Sequence, residues 1–243
     1  MERLLEEFKP HIYLKLNLFG IDMSITKAIV MLWVAVVIVF LLVWLAGRRG
    51  KLVPSGWQNL MESVFEFVRD NMVLEVMGRE GLAYFPWIAT LFLYILVANL
   101  IGLIPGSFTA TSLTGTTAAW AVIVFILYHV AGVKKLGVWN YIKSFAPSGV
   151  PIPILFMMVP IEIVSHFLRP FSLAVRLFAN MTAGHMIILV FTFMAMTSVW
   201  WVKLLPFGGV IVMMLFEIFV SVIQAYIFAI LASIYISLAV YEH

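Results

Sequence analysis

The chain has 243 residues, 64% of them hydrophobic and 11% charged, with a formal net charge of +3. Soluble domains are about 45–50% apolar and about 25% charged, so this composition excludes a soluble domain with a single anchor and requires several membrane spans. There is no cysteine, which removes disulfide, zinc–thiolate and thiol chemistry; the basic residues gather at span ends, where they act as orientation signals rather than as a nucleic-acid footprint.

Each span needs roughly 20 apolar residues to cross the hydrocarbon. Residues 1–23 are polar and of mixed charge, an outer segment without the basic-then-apolar pattern of a cleavable signal peptide. Residues 24–46 form the first span, closed by the cluster GRRGK. That cluster marks a cytoplasmic end and leaves the N-terminus outside. Over 54–78, Trp57, Leu60, Met61, Val64, Val68 and Met72 recur at helical spacing, with Gln58, Asn59, Glu62, Glu66, Arg69 and Asp70 between them. The pattern predicts an amphipathic helix on the cytoplasmic surface, or else a helix packed on a partner.

Residues 82–104 form the second span and 117–132 the third; the loop between them carries no charge, and Lys134, Lys135 and Lys143 follow. The chain thereby returns to the cytoplasm. Residues 151–201 stay apolar but hold Pro151, Pro153, Pro160 and Pro170. Two short spans broken near Pro170, or one long tilted helix, both fit. The last run, 206–240, is over-long for an upright span and pairs with the preceding one as a hairpin, placing the C-terminus in the cytoplasm. The fold class is all-α: a single polytopic membrane domain with about five transmembrane helices and one amphipathic surface helix. No solenoid or inverted repeat is visible.

The long helices carry polar groups that are costly in lipid. Glu162, Ser165, His166, Arg169, Arg176 and Asn180 fall within roughly 100° on a helical wheel, so Arg176 belongs to a polar stripe; His185 lies off that face. From Glu162 to His185 is about 34 Å along a helix, more than the hydrocarbon thickness. On the last helix Glu217, Ser221 and Gln224 share one face, and the natural partner of Glu217 is His185 across the hairpin. Ser165, Ser172 and Ser221 also suit small residues at helix contacts. His166 suits a satisfied core histidine or one at the cytoplasmic interface; Arg169, an acid partner or headgroups; Lys203, an interfacial anchor. Arg176, Glu162 and Glu217 are harder to explain structurally, because charge at bilayer depth costs roughly 2.5–3.5 kcal/mol even on insertion scales. Arginine keeps its proton, whereas carboxylates and histidine exchange theirs. The pattern is two half-paths for protons separated by a fixed cation.

The segment PIEIVSHFLRPFSLAVRLFANMTAGH, with FPWIATLFLYILVANLIGLIPG and the C-terminal IQAYIFAILASIYISLAVYEH, resembles the a subunit of the F-type ATP synthase membrane sector from the first span onward. The resemblance implies the stator half of a rotary motor in a bacterial inner membrane, its two long tilted helices set against the c ring. Peripheral-stalk b subunits and the rest of the F1F0 ATP synthase are then its partners, and the lipid bilayer its solvent. It implies that Arg176 is the essential arginine facing the c-ring carboxylates. Asn180, His185, Glu217 and Gln224 then line the outer half-channel, and Glu162 and Ser165 lie near the cytoplasmic one. His185 and Glu217 are exchanged relative to the commonly described bacterial arrangement, which keeps an acid–imidazole pair. No cofactor is implied, and no metal. A stand-alone secondary transporter with a midplane ion site is the alternative; an intramembrane enzyme is disfavoured by the lack of its motifs. A purely structural assembly subunit would tolerate loss of Arg176.

Overall fold

The computed structural model describes residues 12–15, 17–18, 21–22, 24–48, 53–104, 107, 109–145, 151–197 and 202–241. Residues 1–11, part of the basic cluster after the first span, Pro105 and Trp200–Trp201 lie outside the described residues. Among the described residues, seven helices of at least seven residues carry the fold: α1 (Lys27–Gly47), α2 (Trp57–Val68), α3 (Phe85–Gly102), α4 (Thr114–Leu136), α5 (Val138–Ser144), α6 (Ile152–Thr197) and α7 (Leu204–Tyr241). Among the described residues, five helical stretches are long and apolar enough to cross a membrane. Ahead of α1, two short antiparallel pairs, Ile12–Leu14 with Ile25–Thr26 and Asn17–Leu18 with Ile21–Asp22, form a feature the hydropathy reading did not anticipate.

Helices in lipid gain little from burying apolar surface, since acyl chains are equally apolar; close approach through small residues holds them together instead. The buried face of α7 follows that rule: Ala225, Ala229, Ala232 and Ile236 are fully enclosed and lie at i, i+4, i+7 and i+11. The seam packs α7 against α3 and α4. Gly132 on α4 takes part, because the Tyr141 ring lies where its Cβ would stand and the Ala239 carbonyl is close by. α3 is the most enclosed span, with Ile88, Leu91, Ile95 and Asn99 buried.

α2 and the turn that follows it pack through one side only: Met61, Val68 and Met72 are buried, while Trp57 and Leu60 remain exposed. The Trp57 indole donates to the Leu42 carbonyl at 3.2 Å, fixing its start to α1. The helix continues through a π-helical turn, Arg69–Leu74, and Glu75–Met77. It stops at Gly78, whose φ of 63° is open to glycine but strained for other residues. Ser237 near the end of α7 donates to the Val76 carbonyl at 3.2 Å. The surface helix, the end of α4 and the end of α7 therefore share one end of the bundle.

α6 is one helix of 46 residues, with Pro160 and Pro170 inside it. Of the two arrangements open for this stretch, the structure has the unbroken helix. Proline at position 170 cannot bond the carbonyl four residues back, that of His166. The Tyr128 hydroxyl on α4 donates to this carbonyl at 3.2 Å, supplying the missing partner. α7, of 38 residues, turns back along α6 as a hairpin.

Candidate functional site

Polar side chains collect at three levels along the α6–α7 hairpin. At the end away from α2, α3 stops at Gly102, and a short strap, Ala110–Ser112 with Thr109 ahead of it, folds over that end. Thr109 and Thr111 are buried in it. The Thr111 hydroxyl donates to Asn99 Oδ1 at 2.9 Å. Thr109 is hydrogen-bonded to His185 Nε2, and the same ring nitrogen lies 3.1 Å from the Gly102 carbonyl. Nδ1 lies 3.1 Å from the Met181 carbonyl and 2.6 Å from Glu217 Oε1. The ring is bracketed by oxygen atoms on both sides.

Glu217 is 2% exposed. Its carboxylate is in ion-pair contact with His185, but among the described residues neither oxygen receives an aligned hydrogen bond, so acceptor capacity is left for mobile protons or water. Ser221, one turn on, is fully buried and its hydroxyl also has no hydrogen-bond partner among the described residues, and Gln224 continues the face at 6% exposure. Room for the carboxylate comes from Gly184, where an added Cβ would stand 2.7 Å from Glu217 Oε1. Alanine would favour the helix by about 1 kcal/mol, but the overpacking it forces costs about 1–3 kcal/mol, so glycine is the better residue here. Asn180 is half-buried one turn before Gly184.

At the middle level stands Arg176. It is exposed, and among the described residues no carboxylate lies within ion-pair distance of it. The surface around it is apolar. Phe171 is 64% and Val175 44% exposed on α6, and across the hairpin Val212, Leu215, Phe216 and Phe219 are similarly uncovered. Ser172, Arg176, Ala179 and Ala183, all exposed, form a row at i, i+4, i+7 and i+11. Apart from the arginine, the row is small enough for another helix to approach closely.

At the α2 end, Glu162 is half-buried and its Oε1 lies 3.4 Å from His166 Nε2 and 3.5 Å from Arg169 Nη2. Arg169 also sits over the Tyr235 ring at 5.8 Å. Ser165 is half-buried beside this group. Residues that the sequence reading did not single out, Thr109, Gly102, Gly184 and Tyr128, complete these levels. Thr109 and Gly102 reach His185 from far along the chain, and no local spacing reveals such contacts. Among the described residues, no cluster of three or more histidine, cysteine, aspartate or glutamate side chains suits a metal ion.

Fold and site together define a polytopic all-α membrane protein. An acid–imidazole pair with a buried acid and a glutamate–histidine–arginine cluster lie near opposite ends of a helical hairpin, and an exposed guanidinium stands on its outer face between them. The sequence matches the ATP synthase A chain family over residues 29–237, and the chain belongs to that family. Relatives include the ATP synthase subunit a of Magnetococcus marinus, 45% identical over 98% of this chain and 93% of that protein. Another is that of Rhodospirillum rubrum, 37% identical over the full length of both. The subunit a of Rubrobacter xylanophilus is 39% identical over 93% of this chain and 88% of its own length.

Proposed function

We propose that this chain is the stationary half of a rotary proton path in the membrane sector of ATP synthase, serving ATP synthesis and proton transport. Arg176 faces the carboxylates of a c ring. Glu217, His185, Ser221, Gln224 and Asn180 bring protons from the outer side, and Glu162 and Ser165 exchange them with the cytoplasm. The N-terminus lies outside and the C-terminus inside, in line with the basic residues at Arg48, Lys134, Lys135 and Lys143. Peripheral-stalk b subunits complete its surroundings.

The observation that carries the reading is the exposed Arg176 on an apolar face, with no carboxylate in ion-pair reach among the described residues. Such a charge in lipid is costly, and it cannot be neutralised by proton loss. An acid presented by another chain removes the difficulty. At about 4 Å and an effective dielectric near 20 the attraction is roughly 4 kcal/mol, enough to draw a rotor carboxyl into its ionised form as it arrives. The acid must be neutral again before it faces lipid, so it releases its proton on one side and reloads on the other. The fixed cation between the two groups repels protons that would cross directly. A stand-alone transporter would enclose such a charge around its solute, whereas here it points outward.

The test is Arg176→Ala in the assembled complex. ATP-driven acidification of inverted membrane vesicles should be lost, although the complex still assembles. Retained coupled pumping would overturn the assignment.

A further inference from the structure

We propose that His166 is a proton-exchange residue: with Glu162 it forms a shared proton site at the α2 end of the hairpin, His166 Nε2 taking the proton that Glu162 releases. The inference rests on the reading of Glu162 as part of the cytoplasmic half-path and extends it to a residue and a step.

Hydrogen-bond accounting leads to it. Pro170 leaves the His166 carbonyl without its helical donor, and the Tyr128 hydroxyl donates to that carbonyl at 3.2 Å. A phenol has one proton to give, so toward His166 Nδ1, 3.1 Å away, Tyr128 presents a lone pair. Nδ1 therefore carries the hydrogen of that contact. Nε2 faces Glu162 Oε1 at 3.4 Å, and two lone pairs at that separation repel unless one proton lies between them. The proton can sit on either atom. When it is on the carboxyl, histidine is neutral; when it passes to Nε2, an imidazolium faces a carboxylate that Arg169 also contacts at 3.5 Å.

The proposed way out for this proton is a largely apolar groove of about 390 Å³ beside His166, with His129, Ile142, Phe145, Val159 and Ile163 among its walls. The imidazolium hands its Nε2 proton to water there and returns to the neutral ring, so one proton enters from Glu162 and one leaves to solvent. The other titratable groups at hand have different roles. His129, its ring centroid 5.5 Å from that of His166, is held at Nδ1 by the Phe125 carbonyl at 2.9 Å. Tyr141 of α5 stands edge-on to His129, and Tyr235 of α7 lies under Arg169.

The experiment uses membrane vesicles carrying the whole membrane sector, with passive proton flux driven by a potassium diffusion potential. His166→Ala and His166→Asn should each slow the flux by about tenfold. Imidazole added on the cytoplasmic face should restore most of the flux in His166→Ala, because a free base in the groove can carry the same proton. Flux at the wild-type rate in His166→Ala would overturn the inference. So would recovery in His166→Asn alone, or a loss that imidazole leaves unrepaired, since both mark a packing role. Glu162→Gln, measured on the same vesicles, separates the two levels of the reading. If it conducts normally, the half-path itself falls; if it slows while His166→Ala does not, only the histidine step falls.

Discussion

At the residue scale the pair formed by His185 and Glu217 shows how much depends on a glycine and a threonine. Glu217 is enclosed and holds an unfilled hydrogen-bonding capacity, and His185 is steered by oxygens from Met181, Gly102 and Thr109. Replacing Glu217 with glutamine keeps the volume but removes the exchangeable proton. Potential-driven proton flux should fall by roughly a hundredfold, the low end of what a positioned acid–base group contributes; an unchanged rate would take Glu217 out of the path. Exchanging the two identities, His185→Glu with Glu217→His, should recover much of what either single change loses, because the pair is kept. The pairing itself is readable from sequence, since an acid alone on an apolar helix calls for a partner across the hairpin. The strap that positions His185 is not: Thr109 lies 76 residues from His185, and a threonine in an uncharged loop has no pattern that marks it.

The α6–α7 hairpin has two sides, and burial separates them. Leu173, Leu177 and Met181 are at most 2% exposed, while Ser172, Val175, Ala179 and Ala183 look outward on the same turns. Because the chain has no native cysteine, single cysteines report cleanly. Those at 172, 175, 179 and 183 should form disulfides with a cysteine placed on the c ring, and those at 173, 177 and 181 should not. The reverse pattern would mean that the arginine row faces away from the rotor. Helical periodicity predicted the polar stripe but left open whether Pro170 breaks α6. The answer depends on Tyr128, which in an apolar span reads as one more core aromatic. Only the packing of α4 on α6 shows its hydroxyl supplying the carbonyl that proline leaves open.

For the whole molecule, composition alone was enough for the class, because 64% apolar residues cannot be hidden in one soluble core, and the lengths of the apolar runs supplied the number of spans. The proposed orientation rests on charge at the loops, and it can be checked directly. A C-terminal epitope should be cut by protease in inverted vesicles and spared in right-side-out ones, and an N-terminal epitope should behave oppositely; the converse result would invert the proposed path. In the proposed role this chain would house a turning ring and bear sideways load, each step pushing on the face around Arg176. A proline in the middle of a long helix is where a loaded rod gives way first. The phenol of Tyr128, bonded to the His166 carbonyl from a neighbouring helix, would then act as a brace, so that a push is delivered to the moving part instead of being lost as recoil in a bending wall.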